Sequence, residues 1–161
     1  MRVIKDRKII EDGWELLAVG APIPPGGDVI VRLSQWNGDP AARAERGGRI
    51  GLVLASDEAP EQIEALGRLP LIAIDFPKFG DGRGYTSARL LRDRFEYKGE
   101  LRAVGEVLRD QLFYMARCGI DSFALKAGKD MQGALSAFDD FSVSYQAAAD
   151  DRRPLFRRVA R

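Results

Sequence analysis

The chain contains no histidine and a single cysteine, Cys118, among its 161 residues. Without histidine, neither a Ser-His-Asp triad nor a Cys-His pair can be assembled from this chain. One cysteine cannot form an internal disulfide or ligate an iron–sulfur cluster, and a Cys/His zinc site within the chain is also excluded. We therefore expect no iron–sulfur cluster, no zinc and no other metal site, and we interpret Cys118 as a small buried core residue.

Long apolar runs and an excess of either charge are lacking as well. No stretch approaches the ~18 apolar residues of a membrane span, and the N-terminal residues 1–6 have no apolar segment typical of a signal peptide. The net charge is only +1, which gives no general attraction to nucleic acid or to a membrane surface. We therefore expect a cytoplasmic protein without nucleic-acid or membrane partners.

The composition is that of a globular domain, with 45% hydrophobic and 30% charged residues. The length predicts a single domain over residues 1–161. Short apolar runs separated by polar turns predict an N-terminal β hairpin within residues 1–20, and a segment rich in proline and glycine separates it from a βα core over 28–141. Residues 142–161 form a docked or extended tail, and its five arginines either meet an acidic partner or are simply solvated.

Within the core, short apolar runs alternate with helical patterns. The predicted strands are 29–33, 50–54, 71–75, 101–104 and 120–125, and the predicted helices are 40–46, 60–66, 85–95, 105–117 and 131–141. Strands that are apolar on both faces and alternate with helices are typical of a parallel sheet. Because about five βα units are too few for a closed eight-stranded barrel, we predict an α/β fold with an open parallel sheet or a partial (βα) barrel, preceded by the hairpin.

The densest group of polar residues follows the third core strand, where ligands of parallel sheets usually bind. A glycine-rich turn there leads into a helix N-terminus, and free N–H groups beside an arginine favour an anion. The ligand-binding candidates are Gly82, Arg83, Gly84, Thr86 and Ser87, and the acid–base candidates are Asp75 and Asp81. The alternative is structural: Asp81 caps the turn while Arg83 forms an ion pair with Asp75 or Asp81.

Two further residues are candidates for the same site. Glu100 and Arg102 point to the same side of a strand, so Arg102 either forms a structural ion pair with Glu100 or extends the site at Arg83. Gln111 lies on the apolar face of its helix, where a glutamine needs a hydrogen-bond partner. It either satisfies a strand end or loop carbonyl, or reaches a ligand.

Several motifs together resemble a bacterial family of unknown function. They cover most of the chain and are residues 76–85 (FPKFGDGRGY), 88–92 (ARLLR), 99–103 (GELRA), 110–112 (DQL), 117–119 (RCG), 145–146 (YQ) and 154–156 (PLF). The family carries an oxidoreductase label and is encoded beside assimilatory sulfite reductase in many proteobacteria. It has no established catalytic residues that can be transferred to this chain.

Two hypotheses follow, one from the resemblance and one from the residues of the strand end. The first is an accessory protein of sulfite or sulfate assimilation that binds the sulfite reductase haemoprotein, or delivers electrons or substrate to it. The second is a small-molecule enzyme or binding domain for an oxyanion or phosphate at the Asp75–Arg83 strand end, where the phosphate of a flavin mononucleotide (FMN) is one candidate ligand. The oxidoreductase label implies a bound flavin or nicotinamide, or a reductase partner, because the protein groups alone supply no redox chemistry.

Overall fold

A computed structural model describes residues 1–38, 40, 44 and 46–158. Within these residues the chain forms strands, α-helices and short 3₁₀ turns in the α/β arrangement that the sequence predicts. The strands are β1 (Arg2–Lys5), β2 (Lys8–Glu11), β3 (Glu15–Leu16), β4 (Val29–Arg32), β5 (Ile50–Leu54), β6 (Leu71–Phe76), β7 (Glu100–Gly105) and β8 (Ser122–Phe123). The α-helices are α1 (Leu33–Gly38), α2 (Arg83–Asp93), α3 (Leu112–Arg117), α4 (Met131–Ala134) and α5 (Leu155–Arg158).

The eight strands form one sheet in the order β2-β1-β8-β7-β6-β5-β4-β3. Strands β3 to β8 run parallel to one another, whereas β1 is antiparallel to both β2 and β8. The predicted N-terminal hairpin is confirmed as β1 and β2. The next strand, β3, does not belong to the hairpin but pairs with β4 at the opposite edge of the sheet.

The connection between β2 and β3 shows how strongly the sheet curls. Only three residues, 12–14, separate the two edge strands, and the step from Glu11 to Glu15 spans at most about 14 Å. The edges of eight flat strands would lie about 34 Å apart. The sheet is therefore a half-barrel, and the connecting residues cross its inner face.

The two faces of the sheet are covered differently. On the outer face, alternate residues of β6 and β7, such as Ile72, Ile74 and Leu101, pack against the helices. Helix α2 buries one stripe with the spacing of an amphipathic helix, formed by Gly84, Ser87, Ala88 and Leu91. The inner face carries a separate small cluster, made of Ile30, Val53, Leu71 and Ala73 with Trp14 and Val104 against it.

Several predicted elements differ in extent. The strand predicted over 120–125 is reduced to Ser122–Phe123, and the helix predicted over 131–141 is α-helical only over Met131–Ala134 and continues as a 3₁₀ helix over Leu135–Asp139. The helix predicted over 105–117 is wrong in its first half, because Gly105 ends β7 with φ +90° and only Leu112–Arg117 is α-helical. A Cβ at Gly105 would lie 2.6 Å from the Phe76 carbonyl oxygen. Only glycine fits at this position, where the chain leaves the strand instead of starting a helix. The segment predicted as helix 60–66 forms two 3₁₀ turns interrupted by Ala65 at φ +49°. The helix predicted at 40–46 falls largely outside the described residues.

The interpretation of Cys118 as a small buried core residue is confirmed. Cys118 is 3% exposed within the outer core cluster, and burial raises the pKa of its thiol. Among the described residues, no helix is both long enough and apolar enough to cross a bilayer.

Candidate functional site

The turn after β6 is held together by an ion pair between its own residues. Arg83 donates from Nε and Nη2 to the Asp81 carboxylate at 3.0 and 2.7 Å, and Nη2 also donates to Ser56 Oγ at 2.9 Å. The backbone N–H of Arg83, at the start of α2, donates to Asp81 Oδ1 at 3.2 Å. These bonds from Arg83 hold the pKa of Asp81 well below its usual value. The Asp81 carboxylate thus takes the place at the helix N-terminus where an external anion would bind.

The other residues of the turn have different roles. Gly84 is buried because α2 starts directly against β6, and a Cβ at this position would lie 2.8 Å from the Phe76 ring. The Ser87 hydroxyl donates back to the Arg83 carbonyl oxygen at 3.5 Å. Gly82 and Thr86 are exposed at the surface. Whether any of them binds a ligand stays a prediction.

Asp75 is the most unusual carboxylate of this edge. It lies half-buried near the end of β6, its Oδ1 rests against Gly105, and no described residue donates a hydrogen bond to it. Burial raises the pKa of Asp75; the positive charge of Arg32 offsets part of the rise, and the negative charge of Asp81 adds to it. Asp75 therefore has the properties of a group that can hold or transfer a proton.

Arg32 ends β4 on the same inner face and was missed in the sequence. Its Nε is buried and has no hydrogen-bond partner among the described residues. A single arginine after an apolar run is common at the end of a strand, so the local sequence did not indicate a functional role for Arg32. The available signal was its position, because a residue that ends a parallel strand lies at the ligand-binding edge.

Two loop residues complete the edge. Lys126, after β8, forms a 2.7 Å ion pair with Glu106, after β7, and both side chains are substantially exposed. Because exposed ion pairs contribute little to stability, this pair can exchange for other partners.

Arg102 lies inside the half-barrel and does not extend the predicted anion site at Arg83. Its guanidinium is 1% exposed and binds both carboxylate oxygens of Asp12 at 2.7 and 2.8 Å and Glu100 Oε1 at 2.6 Å. Lys5 binds the other oxygen of Glu100 at 2.6 Å. Burial raises the pKa of Glu100, but the hydrogen bond from Lys5 and the charge of Arg102 outweigh it, so the pKa of Glu100 is lowered. The structural alternative, an ion pair with Glu100, describes this geometry.

Gln111 is also used within the protein. It is buried, and its Oε1 accepts a hydrogen bond from the backbone N–H of Leu108 at 3.0 Å. A bond between Gln111 and Tyr85 contributes to the environment of the tyrosine hydroxyl. The amide thus caps the 3₁₀ turn Arg109–Gln111, which leads into α3.

A cavity of about 1100 Å³ opens on the inner face of the sheet. Trp14, Ile30, Val104 and Met131 contribute apolar wall, and the described residues that bear charge there are Arg2, Glu15, Arg102, Lys126, Lys129 and Asp130. Three other cavities of the described residues have volumes of about 490, 360 and 290 Å³. Among the described residues, inside or outside this cavity, no group of three or more Cys, Asp or Glu side chains is arranged to hold a metal ion.

Comparison with known proteins identifies one family. A family model described as "Bacterial protein of unknown function (DUF934)" matches residues 51–156. The matched stretch starts at β5 and ends in α5, so it includes the glycine-rich turn, β7 and the C-terminal tail. No curated protein and no solved structure matches the chain.

Replacing Arg102 with methionine is expected to lower the free energy of unfolding by about 3–5 kcal/mol, because two buried carboxylates lose their partner. Urea unfolding followed by circular dichroism measures the change. The matched control is Arg94→Met, which removes an exposed 2.9 Å ion pair with Glu61 and should change stability by less than about 0.5 kcal/mol. Equal effects of the two variants would contradict a central role for Arg102.

Replacing Asp75 with asparagine is expected to leave stability at pH 7 unchanged or to increase it. A carboxyl group whose folded pKa is raised stabilises the fold only below that pKa, and this contribution is lost as the pH rises. The difference between variant and wild type should therefore shrink as the pH falls toward 4. Asp28→Asn is the control of opposite sign, because the hydrogen bond from Arg49 lowers the pKa of Asp28, and it should destabilise at pH 7. Destabilisation by Asp75→Asn would show that the ionised carboxylate is structural.

Proposed function

Since the chain belongs to the bacterial family of unknown function DUF934, its activity must be inferred from its own surfaces, and we propose that it is an accessory protein of assimilatory sulfite reduction. In this role it binds the sulfite reductase haemoprotein and delivers electrons or substrate to it. The pathway and the partner rest on the sequence resemblance. The observation that supports a docking role is the C-terminal surface.

The C-terminal segment is attached to the domain through its middle. Ala149 donates its backbone N–H to the Arg117 carbonyl oxygen at 3.0 Å. Arg117 in turn binds the Gln146 carbonyl oxygen and the Asp150 carboxylate, and Arg152 reaches Asp93 at 3.1 Å. These contacts hold the segment against the C-terminal ends of α2 and α3.

On either side of this attachment the segment exposes large apolar side chains. Phe141, Val143, Tyr145 and Phe156 are 63%, 60%, 82% and 78% exposed. We call them the aromatic tail surface, together with the neighbouring arginines Arg152, Arg153 and Arg157. Aromatic residues and arginine are enriched at the centres of protein interfaces. Arg152 and Arg153 form exposed ion pairs with Asp93 and Asp151, and because such pairs are weak, these arginines can exchange them for the acidic surface of a partner.

Replacing Tyr145 and Phe156 with serine together is expected to reduce co-purification of sulfite reductase with the tagged protein at least tenfold. Both side chains are exposed, so the variant should unfold at the same urea concentration as the wild type. The matched control is Phe79→Ser, which removes a 59% exposed aromatic ring from the carboxyl edge of the sheet. If Phe79→Ser alone reduced the co-purification of sulfite reductase, the interface would lie at the carboxyl edge and not at the aromatic tail surface.

Deletion of the gene tests the pathway separately from the surface. An accessory role predicts slow growth on sulfate as the sole sulfur source, with recovery when a reduced sulfur source is added. Normal growth on sulfate would contradict the role in sulfite reduction, whatever the tail binds.

A second candidate function, the binding of a small oxyanion at the carboxyl edge, is favoured by Arg32 and Asp75. The buried Nε of Arg32 has no hydrogen-bond partner among the residues that the structure describes, which costs free energy unless a ligand satisfies it. A guanidinium suits sulfur and phosphorus oxyanions. Protonated Asp75, whose raised pKa favours the neutral form, would donate a hydrogen bond to the same anion and act as its acid–base group.

Sulfate binding, measured by calorimetry, is expected to weaken at least tenfold in Arg32→Met. Arg83→Met should have a smaller effect, because Asp81 and Ser56 already engage that guanidinium. Affinity should increase as the pH falls toward the pKa of Asp75, since the protonated group no longer repels the anion. Sulfate keeps its charge over this range, so the pH dependence reports on the protein. Loss of sulfate binding in Arg83→Met, with normal binding in Arg32→Met, would contradict the site at Arg32. It would show that the anion binds at the glycine-rich turn.

A further inference from the structure

In the described chain, the inner face of the half-barrel has less helical cover than the outer face. Helices α1 to α4 contribute to the outer core cluster, whereas the inner cluster contains residues of strands β4 to β7 and Trp14, and of the described helices only the start of α4 reaches the cavity there. Parallel sheets normally bury both faces under helices. Here the connecting segment covers part of the inner face, and the remainder forms the wall of the cavity.

The dimensions of this cavity suit a small molecule. Its volume of about 1100 Å³ is slightly larger than the range of about 300–1,000 Å³ that is usual for ligand sites, so it has room for a whole small molecule. Gly105 belongs to its lining, so the cavity reaches the carboxyl edge of β7. That edge is where parallel sheets place their ligands.

The wall offers a flat aromatic surface that is held in place. Arg49 lies over the Trp14 ring at 4.8 Å from its centroid, so one face of the indole is engaged while the ring also lines the cavity. Ile30 and Val104 continue the apolar wall. A planar apolar ligand would bury these surfaces from water.

The charges at the rim indicate an anionic group on the ligand. Arg102 is neutralised by Asp12 and Glu100 and offers no free charge. Arg2, Lys126 and Lys129 outnumber the two carboxylates of the lining, Glu15 and Asp130. The only ion pair among these three cations is the exposed one between Lys126 and Glu106 within the described chain, and a ligand anion can replace it.

We propose that the cavity on the inner face binds a planar aromatic organic anion, with the ring against Trp14 and Val104 and the anionic group at Lys126 and Lys129. This site is separate from the oxyanion position at Arg32 and Asp75, neither of which lines the cavity. It is also independent of the C-terminal docking surface.

The test uses 8-anilinonaphthalene-1-sulfonate, an aromatic sulfonate whose fluorescence increases in apolar sites. The native protein is expected to bind one molecule saturably, with energy transfer from tryptophan to the probe. The chain has two tryptophans, of which Trp14 lines the cavity and Trp36 is 5% exposed in the outer core. Trp14→Phe should remove most of the energy transfer, and Trp36→Phe should preserve it.

Two charge variants test the anionic group without disturbing the core. Lys129→Glu is expected to weaken binding three- to tenfold. Lys98→Glu, an exposed change outside the cavity, should leave binding unchanged. Equal affinities of both variants, or tight binding of the uncharged parent amine, would overturn the assignment of an anion.

Three further outcomes decide the location. Val104→Glu should abolish binding, because it places a carboxylate in the apolar wall; intact circular dichroism confirms that this variant is folded. Arg32→Met should bind the probe normally, so the oxyanion proposal and this one fail separately. Absence of saturable binding, or its loss in the Tyr145→Ser/Phe156→Ser variant, would overturn the proposal.

Discussion

The buried guanidinium of Arg102 joins the start of the chain to the middle of the sheet. Asp12 lies between β2 and β3, which occupy opposite edges of the sheet, and its two oxygens bind a side chain of β7. A charge this deep is tolerated only because Asp12 and Glu100 neutralise it with good geometry. The link between the edges therefore crosses the inner face at a defined place. The curl of the half-barrel follows from the shortness of that link.

The curl of the sheet determines which polar side chains have partners within the protein and which are left to bind a ligand. Gly51 and Ala73 keep the inner face narrow, and a Cβ at Gly51 would lie 3.0 Å from the Leu71 side chain. Arg83, Gln111 and Arg102 all find partners within the protein, as buried or capping groups usually do. Within the described residues, the buried Nε of Arg32 and the Asp75 carboxylate have no hydrogen-bond partner, although the two residues lie close enough for the charge of Arg32 to affect the pKa of Asp75. A carboxyl group whose pKa is perturbed by burial and by a specific charged neighbour is a candidate for a functional site.

Periodicity in the sequence was sufficient to predict the class of fold, and the sequence motifs, such as that of residues 76–85, were sufficient to identify the family. The apolar runs of β4, β5 and β6 are buried on both faces, which is the signal of a parallel sheet. Family membership is confirmed by the match to residues 51–156, whereas the oxidoreductase label and the link to sulfite reduction stay predictions. The place of β3 was not predictable, because strand order depends on contacts distant in sequence. The partners of Arg102 were only half predictable, since Glu100 is two residues away but Asp12 is 90 residues away. Arg32 was missed because an unsatisfied nitrogen is visible only once its neighbours are placed.

The positions of the surfaces are compatible with one protein that both docks and delivers. Helix α2 has Arg83 at its first residue and Asp93 at its last, and its 11 residues span about 16 Å. The N-terminal end lies at the carboxyl edge of the sheet, and Arg152 of the tail binds the C-terminal end. A partner confined to the aromatic tail surface would therefore contact α2 at the end opposite to the carboxyl edge. An oxyanion held by Arg32 could then enter and leave while the partner is bound, which is the condition that substrate delivery requires.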